Sequence, residues 1–129
     1  MVIELIIAIL LGHFIGDWLL QPRWMAKSKT IDVVILISHV ILVSLNFLTF
    51  VALYGLIYFI NIHYDVLLSI LLINAIIHAI QDNIIWRWYK KTKHANQFYD
   101  DKLFYDTIAC DQLLHLCTIF VLLRLFPIV

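Results

Sequence analysis

Seven ionisable side chains lie in stretches that are otherwise apolar: His13, Asp17, His39, His78, Asp82, Asp111 and His115. Six of them form three pairs at a spacing of four, His13/Asp17, His78/Asp82 and Asp111/His115. Residues four apart share a helix face, so each pair is one cluster on one stripe. Imidazole plus carboxylate is the ligand chemistry of zinc and similar divalent metals. All seven are therefore candidate metal ligands, for one or two divalent ions with zinc foremost. His13, His78 and His115 are the principal ones, completed by His39 and some of the three aspartates. Such a centre activates water and polarises a carbonyl or phosphoryl group. An aspartate not engaged on the metal then serves as general base. Asp82 is the first choice, since Gln81 and Trp86 flank it, with Asp17 and Asp111 as the other catalytic candidates. Arg23, Lys27 and Gln21 lie next in the chain to this layer and are candidates for holding a substrate phosphate or carboxylate.

The elements that must position these groups are membrane helices. The chain has 129 residues, 64% hydrophobic and 14% charged. A soluble domain carries about 25% charged residues. Apolar runs of about 20 residues mark membrane spans. Four are predicted, over residues 3–21, 32–60, 66–88 and 103–126, in one all-α domain, a polytopic four-helix bundle. Pro22 and Pro127 stop the first and last. Asp32, Asp65 and either Asp100 or Asp101 are the predicted N-caps. The N-terminus has no basic segment or small-residue cleavage pattern, so it reads as a retained span. Net charge is zero, and no global field favours nucleic acid.

Lysine and arginine mark the cytoplasmic side. Eight basic residues lie in the 22–31 and 87–102 segments, and Arg124 alone lies opposite. Both termini are thus expected outside. Trp18, Trp24, Trp86 and Trp88 fall at the predicted inner interface, where amphipathic rings collect. At the helical rise, the seven groups sit roughly 6–13 Å below that interface, each aspartate shallower than its histidine. Four helices of alternating direction deliver them to one layer. Gln21, Asn46, Asn74, Gln81 and Gln112 border the layer and are candidates for orienting the ligands. Gly12 and Gly16 form a GxxxG that permits close helix approach beside His13 and Asp17.

Other residues carry less. Cys110 and Cys117 are too far apart on one helix for a disulfide. Both read as small hydrophobes, with Cys110 a weak ligand candidate beside Asp111. His63 and His94 read as loop histidines, and the lysines of 90–93 as a topology signal and anionic-lipid contact. HExxH, GxSxG and glycine-rich phosphate loops are absent from the sequence.

The segments HFIGDWLLQPRWMAKSK (13–29), HAIQD (78–82) and DQLLH (111–115), with His39 alone at the head of helix two, also resemble a known family. It is the bacterial and phage membrane family catalogued as domain of unknown function 3307. The likeness spans essentially the whole chain. It implies a small integral membrane protein of a bacterial, or phage-infected host, inner membrane, and it brings no activity with it.

Three functions stay open at this point. The first is a metal-dependent hydrolase of a lipid-linked or amphipathic substrate near the cytoplasmic face. The second is proton or metal-ion transport, which the apolar outer halves of helices one, two and four disfavour. The third is a structural or phage accessory membrane protein whose His/Asp pairs are helix clamps. Membrane lipid is the expected partner, and a homo-oligomer is compatible with each reading.

Overall fold

The computed structural model describes residues 2–92, 102–126 and 128. The expectations for Lys93, His94, Asp100, Asp101 and Pro127 fall outside the described residues. Helix α1 covers Val2–Phe14 and runs into a π-helical turn, Ile15–Leu19. A short helix, α2, covers Arg23–Ser28. Three long helices follow: α3 (Val33–Tyr58), α4 (Tyr64–Lys90) and α5 (Lys102–Leu125). No strand occurs among the described residues.

Helices α3, α4 and α5 are each long and apolar enough to cross a membrane. Their burial is inside-out. On α4, Leu68, Leu72, Ile76, Ile80 and Ile84 form a stripe at a spacing of four, each more than half exposed. The opposite stripe buries Asn74, His78 and Asp82. A water-soluble helix places these two classes the other way round. Exposed hydroxyls bond to their own helix: Ser38 Oγ donates to the Val34 carbonyl, Thr49 Oγ1 to Leu45 and Ser69 Oγ to Asp65. This satisfies them without water, as hydrocarbon requires.

Local signals account for most helix ends. Asp32 caps α3, its side chain accepting from the backbone of Val34 and Ile35. Phe59, at φ 54°, ends α3 in the left-handed conformation. Asp65 is not the cap of α4. The helix starts earlier, after His63, and Asp65 sits in its first turn. There its negative charge still favours the helix dipole.

The first predicted span departs most from expectation. It is α-helical for only 13 residues, after which the π turn takes over. The Leu20 amide reaches back to the Ile15 carbonyl at 2.9 Å, closing the wider ring. The 22–31 segment, read as a loop, contains α2.

Along the bundle axis the interior has three zones. At one end lies an apolar core built from Leu5, Ile9, Phe47, Val51, Leu67 and Ile119 among others. At the other lie Trp86, Tyr89 and Phe104. The His/Asp layer lies between them. Gly12 and Gly16 seat α1 and the π turn against α3. A Cβ on Gly12 would lie 3.0 Å from the Phe47 Cα, and one on Gly16 2.9 Å from the Val43 Cα.

Candidate metal centre

All seven sequence-predicted ligands are brought together and buried. His39 and Asp82 are 0% exposed, His13, His78 and His115 1%, and Asp17 and Asp111 3%. Asp17 comes from the π turn, His39 from the first turns of α3, His78 and Asp82 from α4, and Asp111 and His115 from α5.

Four of them offer one ligand atom each to a common point: Asp17, His39, His78 and Asp82. His39 Nε2 lies 3.0 Å from Asp17 Oδ1, 3.2 Å from Asp82 Oδ2 and 3.2 Å from His78 Nε2. His78 Nε2 lies 3.6 Å from Asp17 Oδ1 and 3.4 Å from Asp82 Oδ2. A tetrahedral zinc with bonds of about 2.0–2.1 Å sets its ligand atoms about 3.3–3.4 Å apart. The five distances bracket that value. Asp17 also belongs to a second group, with Asp111 and His115. Here His115 Nε2 and Asp111 Oδ1 are 3.3 Å apart.

The surrounding hydrogen bonds fix which ring nitrogen faces inward. Gln81 donates through Nε2 to Thr118 Oγ1 at 2.9 Å, so its oxygen faces His115 Nδ1 at 2.8 Å. His115 Nδ1 is therefore the donor, which leaves the lone pair of a neutral ring on Nε2. Gln21 acts alike on His39. With its amide oxygen toward His39 Nδ1 (3.2 Å), its nitrogen donates to the Asp17 carbonyl at 3.0 Å. Amides that hold Nδ1–H and free Nε2 are the outer contacts that metal-binding histidines use. The inward atoms His115 Nε2, Asp111 Oδ1 and Asp82 Oδ1 are buried without a hydrogen-bond partner. Orphaned buried polar atoms are costly, and a cation satisfies all three. These residues could hold a metal ion.

His13 stands slightly apart. Its ring packs edge-on against His78 and His115, with centroids 5.5 and 5.4 Å away. Its Nε2 lies 3.9 Å from Asp17 Oδ2, and neither ring nitrogen has a hydrogen-bond partner. The π turn accounts for this. The extra residue per turn rotates Asp17 away from His13 and aims Oδ1 at His39.

The amides do not all act as expected. Gln21, Gln81 and Gln112 reach the layer, Gln112 donating to Asp17 Oδ2. Asn46 instead donates to the Leu42 carbonyl of its own helix. Asn74 is buried on α4. Cys110 and Cys117 are exposed on the outside of α5, away from the ligands.

Two contributors escape sequence reasoning. Lys29, in a segment read as a cytoplasmic loop, is only 3% exposed. Its ammonium donates to Asp82 Oδ2 at 2.8 Å and approaches His39 Nε2 at 3.4 Å. The segment that carries it is clamped by α4. Arg87 Nε donates to the Thr30 carbonyl at 3.3 Å, and Lys90 Nζ to the Lys27 carbonyl. Lys90 is thus a tether as well as a basic residue of the topology signal. Trp86, expected at an interface, is buried and donates its indole N–H to Asp111 Oδ2 at 3.1 Å. The only hint in sequence was proximity: Lys29 lies ten residues before His39, and Trp86 one turn beyond Asp82.

A cavity of about 420 Å³ opens beside the layer. Asp17 and Asp111 border it, as do Gln21, Arg23, Lys27 and Lys29. Asp82 does not line it. The carboxylate preferred on sequence grounds is thus the most enclosed of the three, held by Lys29, while Asp17 and Asp111 stand at the junction of layer and cavity.

Fold and site define a class: an all-helical protein with membrane-length helices around a buried His/Asp cluster able to hold a metal ion. The chain belongs to the family described as Protein of unknown function (DUF3307), whose model matches residues 5–128. No curated protein and no solved structure matches it.

Proposed function

We propose that this protein is a membrane-embedded, metal-dependent hydrolase of an amphipathic or lipid-linked substrate, with its site near the cytoplasmic face. α1 and the π turn complete a fourth span, and both termini lie outside. The membrane is the inner membrane of a bacterium or of a phage-infected host. One observation carries the reading: two of the three residues Asp17, Asp111 and His115 line the cavity, whereas of Asp17, His39, His78 and Asp82 only the shared Asp17 does. Four protein ligands make a closed, structural type of site, whereas three or fewer leave positions for water and substrate. Zinc, or a similar divalent ion, in the three-residue group would supply Lewis acidity and activate water. Asp17 is shared between the two groups and would bridge two ions. Asp111 is the preferred general base, since it faces the cavity; in that role its Oδ1 stands off the ion, which Asp17 and His115 would hold. Trp86 holds its other oxygen and so orients it. Asp82 and Lys29 belong to the closed group, where the ammonium offsets part of the carboxylate charge.

Transport is disfavoured by the apolar core, where Ile9, Phe47, Val51, Leu67 and Ile70 are all 0% exposed. Among the described residues that plug presents an ion with side chains that are apolar but for Tyr54. The clamp reading has one supporting observation, the Lys29–Asp82 ion pair, which ties the α2 segment to α4 without any metal.

The test is elemental analysis and turnover of purified protein on short-chain ester, amide and phosphoester lipids. Wild type is expected to carry divalent metal and to turn over one class. Asp111→Asn is expected to keep metal in the four-residue group and lose at least about 100-fold in rate, the usual scale of general-base catalysis. Protein purified without chelators yet free of metal, and folded, supports the clamp and ends the hydrolase reading.

A further inference from the structure

The cavity has two unlike linings. Arg23 and Lys27, one turn apart on α2, and Lys29 just beyond it bring positive charge. Trp18 of the π turn, Ala26 of α2, and Phe104 and Ile108 of α5 bring apolar surface. The apolar share of the lining continues into the bundle's exposed hydrophobic exterior: Trp18 is 44% exposed and Tyr105 54%. The polar share ends at Asp17 and Asp111. The volume, about 420 Å³, is that of a small-molecule site.

Charge selects the occupant. Three carboxylates in the layer face one buried ammonium, Lys29. With neutral imidazoles, one divalent ion brings the layer to neutrality and a second leaves it at plus two. Arg23 and Lys27 give the cavity a basic wall. A cationic or zwitterionic headgroup gains nothing here. With one ion bound the layer is neutral and the basic wall decides: a phosphate dianion carries the matching charge, and arginine holds phosphate through two parallel N–H bonds.

We infer that the cavity binds the phosphate group of an anionic amphiphile, with Arg23 and Lys27 holding the phosphate and the aromatic lining receiving the first part of its apolar chain. The inference rests on the hydrolase reading for the identity of the group beside the metal ligands, and it narrows the substrate to phosphate esters with a lipid tail. Arg23 and Lys27 are specificity residues. Neither belongs to the ligand groups.

The experiment uses the 129-residue chain in neutral detergent, with tryptophan fluorescence as the readout, since Trp18 and Trp86 line the cavity. Dihexanoyl phosphatidic acid, dihexanoyl phosphatidylcholine, glycerol phosphate and inorganic phosphate are titrated in turn. Phosphatidic acid is expected to bind roughly 10–30-fold more tightly than phosphatidylcholine, the scale of two basic contacts. The Arg23→Gln/Lys27→Gln variant is expected to lose that preference while keeping its metal content and unfolding temperature. Equal affinity for the two lipids overturns the inference, and so does a preference that survives in a folded double variant. Inorganic phosphate or glycerol phosphate binding as tightly as phosphatidic acid overturns the amphiphile. A lipid preference without metal or turnover leaves the cavity assignment standing and ends the hydrolase reading. Metal and turnover without the preference does the reverse.

Discussion

The two halves of the bundle are built by the same helices and buried to the same degree, yet they are held together by opposite chemistry. In the apolar half, Ile9, Phe47, Val51 and Leu67 are 0% exposed. In the polar half, so are His39 and Asp82. The apolar half needs only shape. Without a strong hydrophobic force in lipid, close contact and dispersion hold it. The polar half needs every group answered, because a buried charge without a partner is far more costly than a small void. Lys29, three glutamine amides and the Trp86 indole supply some of those answers, while Asp82 Oδ1, Asp111 Oδ1 and His115 Nε2 are left without a hydrogen bond. The polar half is therefore the costly one to assemble, and the apolar half the undemanding one.

The comparison can be broken most sharply with one substitution in each half. Phe47→Ala is expected to destabilise by about 3–5 kcal/mol through the cavity it leaves. Asp82→Leu is expected to cost about 3–5 kcal/mol as well, because it strands the Lys29 ammonium. Thermal unfolding in detergent measures both. Two outcomes separate them. Adding Lys29→Met should restore most of the stability lost in Asp82→Leu, and metal should be missing only from the Asp82 variants. If Phe47→Ala sheds metal as readily, the two halves are not independent.

Acid should act on the polar half alone. Protons and metal compete for the same imidazole lone pairs, so a metal-loaded site is stable at high pH and loses affinity as pH falls. As pH falls, affinity should drop by up to about tenfold per pH unit for each histidine that must lose a proton to bind. Metal retained against a chelator at pH 5 as firmly as at pH 8 would mean that histidine is not the ligand.

The smallest expected effect sharpens the boundary between the halves. Gly16→Ala places a Cβ 2.9 Å from the Val43 backbone, so α3 and the π turn must separate. Overpacking of this kind costs about 1–3 kcal/mol. The displaced residue is the neighbour of Asp17, whose Oδ1 lies 3.0 Å from His39 Nε2. Metal affinity should therefore fall more than the unfolding temperature does. Gly12→Ala, beside the apolar core, should show the opposite balance.

Much of this was legible in the residues. Helical period and apolar run length mark α3, α4 and α5, and a spacing of four puts His78 with Asp82 and Asp111 with His115 whatever the rest of the fold does. GxxxG foretold a close helix contact, though not that its partner is α3. The first helix itself was less legible, because a π turn depends on backbone bonds that no residue type announces. Asp17 consequently serves His39 more closely than His13. Lys29 was hidden for a related reason. A lysine in a basic, polar segment reads as a topology signal, and its direction depends on Arg87 and Lys90 holding the backbone around it.

The sequence by itself determined the layer: which ionisable groups are present, on which helices and at what level along them, since rise per residue is a local property. Tertiary structure decided which atoms meet. It shared Asp17 between two ligand groups, enclosed Asp82 behind Lys29, and opened the cavity on Asp111. Those outcomes depend on helix rotation and on side chains far apart in the chain, and only packing specifies them.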